Sequence, residues 1–353
     1  MEDFKMFDVD QHLCDLNICN WETVLPTHLQ HKAPKNITYE GVERLSIEDK
    51  LFPKPAGKGC GSPLGSKAGG NVSIDKRVQW MSQVGIDSAV LTPGNLGMAI
   101  HAIEDNELKH AVCERYRNWQ VDQAEEAGEH CTAGILIDPF SLPDPSLLKN
   151  SKVSCLYMRP TNRASMHLWE KEMLPIYQLA SEYNLPLLFH SGTGYYQNSP
   201  VSDQYENYFY SHLFSHTTEI QMALAELVGH GIISNYPDLK VVFVEAGVSW
   251  VPSFVSRLQH HVQRLGRIVP GGKQNVYELL EKQCLFSVFN EDADGLGTLL
   301  AQNPWLKTIL GSDYPHWDTM NVKNILKDVD GEMKKDVAYR NAEKLFERIK
   351  IEI

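Results

Sequence analysis

Acidic and imidazole side chains end three apolar segments that lie far apart in the chain. Asp10 and His12 belong to the first segment, His190 ends PLLFH, and Asp313 directly follows LKTILGS. In a parallel barrel, residues at the carboxyl ends of the strands face the active site. Residues two apart in an extended backbone project to the same side, so Asp10 and His12 can reach one ion. We therefore predict that these four side chains converge on a metal.

The composition of this set indicates which ion it would hold. Imidazole mixed with carboxylate suits a borderline divalent ion such as zinc, manganese, iron or cobalt, whereas cages made only of oxygen suit calcium or magnesium. We expect a divalent transition metal, zinc first and manganese or iron as alternatives, with one ion rather than two. Each residue taken singly has a structural alternative, either an aspartate that caps a loop or a histidine satisfied in the core.

Eight apolar segments would position these residues. Several are nearly continuous in valine, isoleucine, leucine and phenylalanine, which is typical of a parallel sheet covered on both faces. Segments of helical period alternate with them, and this alternation predicts an α/β chain with an eight-stranded barrel. The predicted strands are 5–10, 88–93, 132–138, 153–159, 186–190, 240–245, 285–289 and 307–312. The predicted helices are 105–128, 169–183, 217–231, 249–264, 292–302 and 332–348.

Residues 14–75 interrupt the regular spacing, because they separate the first strand from the second. They include the glycine- and serine-rich stretch GKGCGSPLGSKAGGN, which lacks the G-x-x-x-x-G-K-[ST] order of a phosphate-binding loop. We interpret 14–75 as an insertion in a single barrel domain that spans 1–353. It forms either a lid over the barrel mouth or an excursion without function.

The composition limits the class of partner and the compartment. The formal net charge of −12, from 33 basic and 45 acidic residues, disfavours nucleic acid and anionic membranes, so we expect a small-molecule substrate. The sequence lacks the long uncharged apolar run of a signal peptide or membrane span, and we expect a cytoplasmic protein. The seven cysteines form no C-x-x-C pair, which argues against a disulfide framework or a zinc ribbon. The composition is compatible with a homo-oligomer.

Four motifs together resemble the metal-dependent amidohydrolase superfamily, in its amidohydrolase-2 branch: DVDQHL, PLLFHSG, YPDLKVVFVEAGVSWVP and GSDYPHWD. That branch includes aminocarboxymuconate semialdehyde decarboxylase and resorcylate decarboxylase. The resemblance implies a distorted (β/α)8 TIM barrel with a long insertion after the first strand. It also implies metal ligands from strands one, five and eight, which here are Asp10, His12, His190 and Asp313.

The sequence departs from this family pattern at two positions. Many relatives have a histidine at the end of strand six, where this chain has Glu245, and the most familiar members have histidine or glutamate where this chain has Asp10. Glu245 has three interpretations. It is an additional metal ligand, a general acid or base, or a buried carboxylate that structures the turn into the next helix.

Two further histidines are candidates for the site. His216 precedes a predicted helix, and it either enters the site from the loop after strand five or lies on the surface at the helix start. His316 lies three residues beyond Asp313 and either shapes the loop or shuttles protons, so we count it with Asp313 and Glu245 among the candidate catalytic residues.

Arg159 and two tryptophans are candidates for substrate binding, together with His216. Arg159 ends the fourth strand, where its guanidinium could clamp a substrate carboxylate or pair with a neighbouring acid. Trp250 and Trp317 each follow a candidate site residue. They could stack on an aromatic or acyl substrate, although large aromatic residues in such loops often only pack.

These residues predict a metal-dependent hydrolase. A metal would lower the pKa of a bound water from about 15.7 toward about 7 and polarise a carbonyl, while Asp313 passes the proton to the leaving group of an amide, ester, lactone or thioester. The alternative is non-oxidative decarboxylation of an aromatic or unsaturated carboxylic acid, in which Asp313 protonates carbon before carbon dioxide leaves. The absence of the strand-six histidine favours hydrolysis. A third hypothesis is a non-catalytic barrel used for binding.

Overall fold

The computed structural model describes residues 5–15, 18–54, 72–160, 166–195, 204–346 and 348. Eight parallel strands close into a barrel, and the first strand pairs with the last to complete the ring. This confirms the predicted α/β barrel. The strands are β1 (Phe7–His12), β2 (Lys35–Tyr39), β3 (Val42–Ile47), β4 (Lys50–Phe52), β5 (Ser88–Thr92), β6 (Cys131–Leu136), β7 (Val153–Met158), β8 (Leu187–Phe189), β9 (Val241–Phe243), β10 (Cys284–Val288) and β11 (Thr308–Leu310).

Each of the eight predicted segments contributes one barrel strand, in the order β1, β5, β6, β7, β8, β9, β10 and β11 around the ring. Every residue of these strands is buried except Ser88 and Thr132, which are half-buried, and this explains the nearly continuous apolar sequence. The observed strands β8, β9 and β11 are shorter than predicted. His190, Glu245 and Asp313 lie just beyond the ends of these strands.

Helices cover the outside of the barrel. None of those in the described part of the chain is long and apolar enough to cross a membrane. They are α1 (Trp21–Val24), α2 (Ile74–Val84), α3 (Asn95–Ile100), α4 (Asn106–Glu126), α5 (Pro145–Leu148), α6 (Leu174–Glu182), α7 (Tyr208–Gly229), α8 (Ile232–Asn235), α9 (Val251–Leu265), α10 (Val276–Gln283), α11 (Leu296–Gln302), α12 (Val322–Ile325), α13 (Gly331–Lys335) and α14 (Asn341–Leu345), with a π-helical turn at Asp336–Arg340 between the last two.

Helix α7 differs most from its predicted bounds. It begins at Tyr208 rather than at 217, because the side chain of Asn207 accepts a hydrogen bond from the backbone N–H of Phe209 and so caps the helix. His216 therefore lies within α7 and not before it. The segment predicted as one helix over 332–348 is divided by the π-helical turn.

The insertion contains a three-stranded antiparallel sheet in the order β2, β3, β4, which the sequence analysis did not anticipate. The sheet lies beside the loop after β8. The N–H of Lys54 donates to the carbonyl oxygen of Gly194 at 2.7 Å, and Phe52 stacks on Tyr195 with ring centroids 6.4 Å apart. The glycine-rich stretch 57–71 lies outside the described residues, and the lid function stays a prediction.

A buried carboxylate joins the first and last strands of the barrel. The Asp8 carboxylate accepts hydrogen bonds from the N–H of Ser312 at 2.8 Å, from its hydroxyl at 2.6 Å and from Gln11 Nε2 at 2.8 Å. Burial raises the pKa of Asp8 to about 6, although the bonds from Ser312 oppose this. Just above, the N–H of Asp313 donates to the carbonyl oxygen of Asp10 at 3.0 Å. The two strand ends that carry candidate ligands are thereby held side by side.

A second buried charge cluster links α4 to the loop after β6. Lys109 Nζ and His101 Nδ1 lie 3.0 Å and 3.1 Å from the same Oδ2 atom of Asp138, and all three side chains are fully buried. Burial opposes ionisation of Asp138, but His101 and Lys109 outweigh it and lower the pKa of Asp138 to about 2. The carboxylate is therefore ionised and neutralises the lysine.

We expect Asp138→Asn to destabilise the protein by about 3–5 kcal/mol, because it leaves the Lys109 charge buried without its carboxylate. The folded pKa of Asp138 lies below the unfolded value, so this contribution is present above about pH 4 and is lost as the pH falls toward about 2. Urea unfolding at pH 7 measures the change. Asp122→Asn, at an exposed acid of α4, is the matched control and should leave the midpoint in place. An Asp138→Asn midpoint equal to that of the control would contradict the prediction.

Candidate metal centre

The four predicted ligands meet at one end of the barrel. Asp10 and His12 lie on β1, His190 follows β8, and Asp313 follows β11. One ligand atom from each lies within 4.8 Å of the others, and all four side chains are buried. His12 Nε2 is 3.0 Å from His190 Nε2 and 3.1 Å from Asp313 Oδ1. The set drawn from three distant segments is therefore a compact cluster that could hold a metal ion.

The tautomers of the two histidines fit a metal site. His12 Nδ1 lies 2.6 Å from the carbonyl oxygen of Pro93, and His190 Nδ1 is hydrogen-bonded to the carbonyl oxygen of Ser191. A carbonyl only accepts, so each Nδ1 carries a hydrogen, and the two Nε2 atoms face each other at 3.0 Å. That approach requires either a shared proton or a cation beside both nitrogens. Backbone carbonyls orient metal-bound histidines in this way.

The carboxylates also have oxygens left for a cation. The hydroxyl of Thr92 donates to Asp10 Oδ1 at 2.9 Å and orients that side chain. Asp10 Oδ2 and Asp313 Oδ2 are buried, and neither has a hydrogen-bond partner among the described residues. A buried oxygen without a partner is costly, so such atoms call for an explanation. A divalent cation bound between these oxygens would explain why they lack partners, and the mixed histidine and aspartate donors suit such an ion.

Glu245 adds a further negative charge to this cluster. Its Oε2 lies 2.8 Å from His190 Nε2 and 3.2 Å from His216 Nε2. Burial opposes the charged form of His190, but Asp10 and Glu245 outweigh it and raise the pKa of His190 well above its usual range. The carboxylates thus favour positive charge at this point of the barrel. The glutamate that replaces the expected strand-six histidine faces the site.

Two acidic residues near the site have a left-handed backbone conformation that orients their side chains. Glu245 and Asp313 have φ angles of 51° and 59°, in the left-handed region that residues other than glycine rarely adopt. The N–H of Glu245 donates to Ser287 Oγ at 3.0 Å. These sharp turns at the ends of β9 and β11 direct both carboxylates toward the site.

His316 is the nearest neighbour of Asp313. Its Nδ1 lies 2.6 Å from Asp313 Oδ1, and its ring stacks on His12 with centroids 4.3 Å apart. Burial opposes protonation, but the Asp313 carboxylate raises the pKa of His316 to about 9. A protonated imidazole therefore stands beside the candidate ligand at neutral pH.

Arg159 and Trp250 make contacts with the protein itself. Arg159 is fully buried and donates to the carbonyl oxygens of Met98 at 3.3 Å and Gly192 at 3.1 Å. Trp250 Nε1 donates to the carbonyl oxygen of Ala246 at 2.8 Å, and the ring packs against the hydrophobic core. For Trp250 the geometry favours the packing interpretation.

His216 and Trp317 lie near the cluster in different environments. His216 is buried in α7 and contacts Glu245, so the interpretation as a surface histidine at a helix start is wrong. Trp317 is 53% exposed, and its ring lies 5.5 Å from that of His212. Trp317 is thus accessible beside the site.

Two residues that were not predicted from the sequence, His212 and Asp318, also lie beside the cluster. His212 Nε2 lies 3.9 Å from Asp318 Oδ2. Burial and the neighbouring His216 lower the pKa of His212 to about 4, whereas burial, Asp313 and Glu245 raise the pKa of Asp318 to about 8. The spacing of four between His212 and His216 would have revealed the pair, had the helix been predicted to begin before them.

The family of this chain follows from a match over nearly its whole length. The family model described as amidohydrolase matches residues 8–348. The chain therefore belongs to this family, in its amidohydrolase-2 branch, and the resemblance inferred from the sequence is confirmed. Membership indicates a metal-dependent enzyme of the amidohydrolase superfamily. No curated protein matches the sequence.

Solved structures show the same fold at low sequence identity. An amidohydrolase from Mycobacterium avium subsp. paratuberculosis K-10 is 18% identical, with 98% of this chain and 100% of that chain covered and a TM-score of 0.73. The 5-carboxyvanillate decarboxylase of Novosphingobium aromaticivorans DSM 12444, complexed with manganese and a nitrobenzoic acid, is 15% identical, with coverage of 98% and 96% and a TM-score of 0.70. A manganese-bound dihydroxybenzoic acid decarboxylase from Polaromonas sp. JS666 is 14% identical, with coverage of 98% and 97% and a TM-score of 0.65.

We expect His12→Ala and His190→Ala to lose the tightly bound metal, because each removes one of four buried donors. Protons compete for the same nitrogens, and the raised pKa of His190 means that metal affinity should increase with pH. The metal content of each protein is measured by elemental analysis after dialysis against a dilute transition-metal buffer. His28→Ala, at an exposed histidine, is the control and should retain the ion. Equal metal content in His12→Ala and the control would refute this assignment.

Proposed function

We propose that this protein is a metal-dependent, non-oxidative decarboxylase of a hydroxylated aromatic or unsaturated carboxylic acid. The observation that carries the proposal is the buried donor set of Asp10, His12, His190 and Asp313, with His316 hydrogen-bonded to Asp313. Such a reaction needs a cation for the substrate carboxylate and a proton donor for carbon. The likeness to two manganese-bound decarboxylases supports this reaction over the hydrolysis that the absent strand-six histidine had favoured.

The ion that fits these donors is divalent, with manganese ahead of zinc in this proposal. When bound by Asp10, His12, His190 and Asp313, it would hold the substrate carboxylate and an adjacent oxygen and withdraw electron density from them. The chain itself supplies the proton. The proton of the His316 imidazolium passes through Asp313 to the carbon that bears the carboxylate, and the carbon–carbon bond then breaks as carbon dioxide leaves.

The residues around Asp313 support its role in proton transfer. His316 donates a hydrogen bond to Asp313 Oδ1 and returns a proton to it after each turnover. Glu245 lies between His190 and His216 and orients both rings. Trp317, exposed beside the site, is placed to stack on an aromatic substrate. Arg159 stays a candidate for contact with a substrate carboxylate.

Hydrolysis of an amide, ester, lactone or thioester is the second candidate. A specific observation favours it: the Glu245 carboxylate lies 2.8 Å from His190 Nε2, within reach of a small molecule bound among the donors, and could act as a general base. A non-catalytic barrel accounts less well for the arrangement, because buried oxygens without partners lower stability and bring no benefit to a scaffold.

The two reactions separate on a substrate panel. We expect the manganese-loaded protein to release carbon dioxide from one or more hydroxybenzoates, which mass spectrometry of carboxyl-labelled substrates detects. The same preparation should leave aryl esters, lactones and anilides intact. Hydrolysis of the second group without carbon dioxide release from the first would replace decarboxylation by hydrolysis.

Asp313→Asn should lower kcat by about 10²- to 10⁴-fold, because the amide cannot deliver the proton. His316→Gln should reduce kcat less, since Asp313 can still be reprotonated by water. In deuterium oxide, the product of the unaltered protein should carry deuterium at the carbon that lost the carboxylate. His260→Gln, at an exposed histidine of α9, is the control and should match the unaltered protein. Full activity of Asp313→Asn with metal bound would exclude this role.

A further inference from the structure

A second group of donor atoms lies beside the first. His212, His216 and Glu245 each offer one ligand atom, and these atoms lie within 4.8 Å of one another. Asp318 adds a carboxylate oxygen 3.9 Å from His212 Nε2. Asp318 also brings an oxygen within 4.8 Å of Glu245 and Asp313, so it lies close to both groups. His212, His216 and Glu245 thus form a second set of donors, which adjoins the first cluster through the contact of Glu245 with His190 and has Asp318 at its edge.

The local structure places the two imidazoles for joint binding. His212 and His216 are four residues apart in α7, so their side chains project from the same face of the helix, one turn apart. Their ring centroids are 4.9 Å apart. The Ser215 hydroxyl lies 3.2 Å from His216 Nδ1, which leaves Nε2 toward Glu245 at 3.2 Å. Two histidines at this spacing on a helix are a common way to bind a transition metal.

Glu245 connects the two groups. Its Oε2 lies 2.8 Å from His190 Nε2 in the first cluster and 3.2 Å from His216 Nε2 in the second. Glu245, Asp313 and Asp318 also bring one oxygen each within 4.8 Å of one another. Carboxyl groups this close cannot all be ionised unless a proton or a cation lies among them. A second cation beside Asp318 would supply that charge.

We propose that His212, His216, Glu245 and Asp318 form a second divalent-cation site, adjacent to the first and joined to it by Glu245. Two imidazoles with carboxylates select a borderline ion, for which zinc is the test ion. Because the His212 side chain is 23% exposed, this site is the more open of the two and exchanges its ion more readily. This site implies two ions where the sequence predicted one, and it is linked to the proposed first site through Glu245, which contacts His190, and through Asp318, which lies near Asp313.

The experiment counts zinc ions in the full-length protein. The chelator-stripped protein is dialysed to equilibrium against buffered zinc at pH 7.5, and bound zinc is measured by elemental analysis over a range of free concentrations. We expect two equivalents for the unaltered protein and one for His212→Ala and for Asp318→Asn. His12→Ala should keep the equivalent that His212→Ala loses. His167→Ala, at a partly exposed histidine paired with a glutamate elsewhere, is the matched control and should bind two.

Differences between variants decide the result, because adventitious zinc on other surface histidines is common to all of them. Thermal melts of each stripped variant check that it is folded. The second site would be overturned if the unaltered protein binds one equivalent of zinc, and if His12→Ala abolishes that binding while His212→Ala leaves it intact. The proposed function would stand in that case. If every variant binds as much zinc as the unaltered protein, both the second site and the proposed first site are wrong. Cobalt in place of zinc adds a spectroscopic check, since the absorption of the second equivalent should vanish in His212→Ala.

Discussion

The hydrogen bonds of the Asp8 carboxylate are the interaction on which the site most depends. They join β1 to the chain after β11 across 304 residues of sequence, at the seam where the barrel closes. Asp10 and His12 lie on one side of this seam and Asp313 on the other, so closure of the barrel also brings these candidate metal donors together. A loss of closure would therefore separate two ligands from a third, whatever the state of the remaining strands.

Arg77 extends this connection to the outer layer. From α2 its guanidinium donates to the carbonyl oxygens of His12 and Tyr314 and to Gln11 Oε1, and the side chain is fully buried. One cation thus holds the backbone on both sides of the seam just beyond the donors. Backbone groups that are fixed in this way keep ligand atoms in position before any ion arrives, which lowers the cost of binding.

Much of this arrangement could be predicted from the sequence, and the failures have physical causes. The eight strands were predicted because each is buried on both faces, and the convergence of the four candidate donors was predicted because they lie at or just beyond the ends of such strands. The sheet of β2, β3 and β4 was missed because β2 is mostly exposed and carries no apolar pattern. His212 and Asp318 were missed because a helix cap at Asn207 and a loop conformation after Asp313 bring them to the site, and neither leaves a periodic signal.

The left-handed backbone at Glu245 and Asp313 places stability and activity in opposition at two positions. Such a conformation costs of order 1–3 kcal/mol for a residue with a side chain, and glycine would adopt it without that cost. Glycine would also remove a buried negative charge from a crowded cluster. Substitutions that raise the thermal stability of this protein are therefore expected at two residues to which the proposed function assigns its chemistry, and a stability screen without an activity assay would not detect that loss.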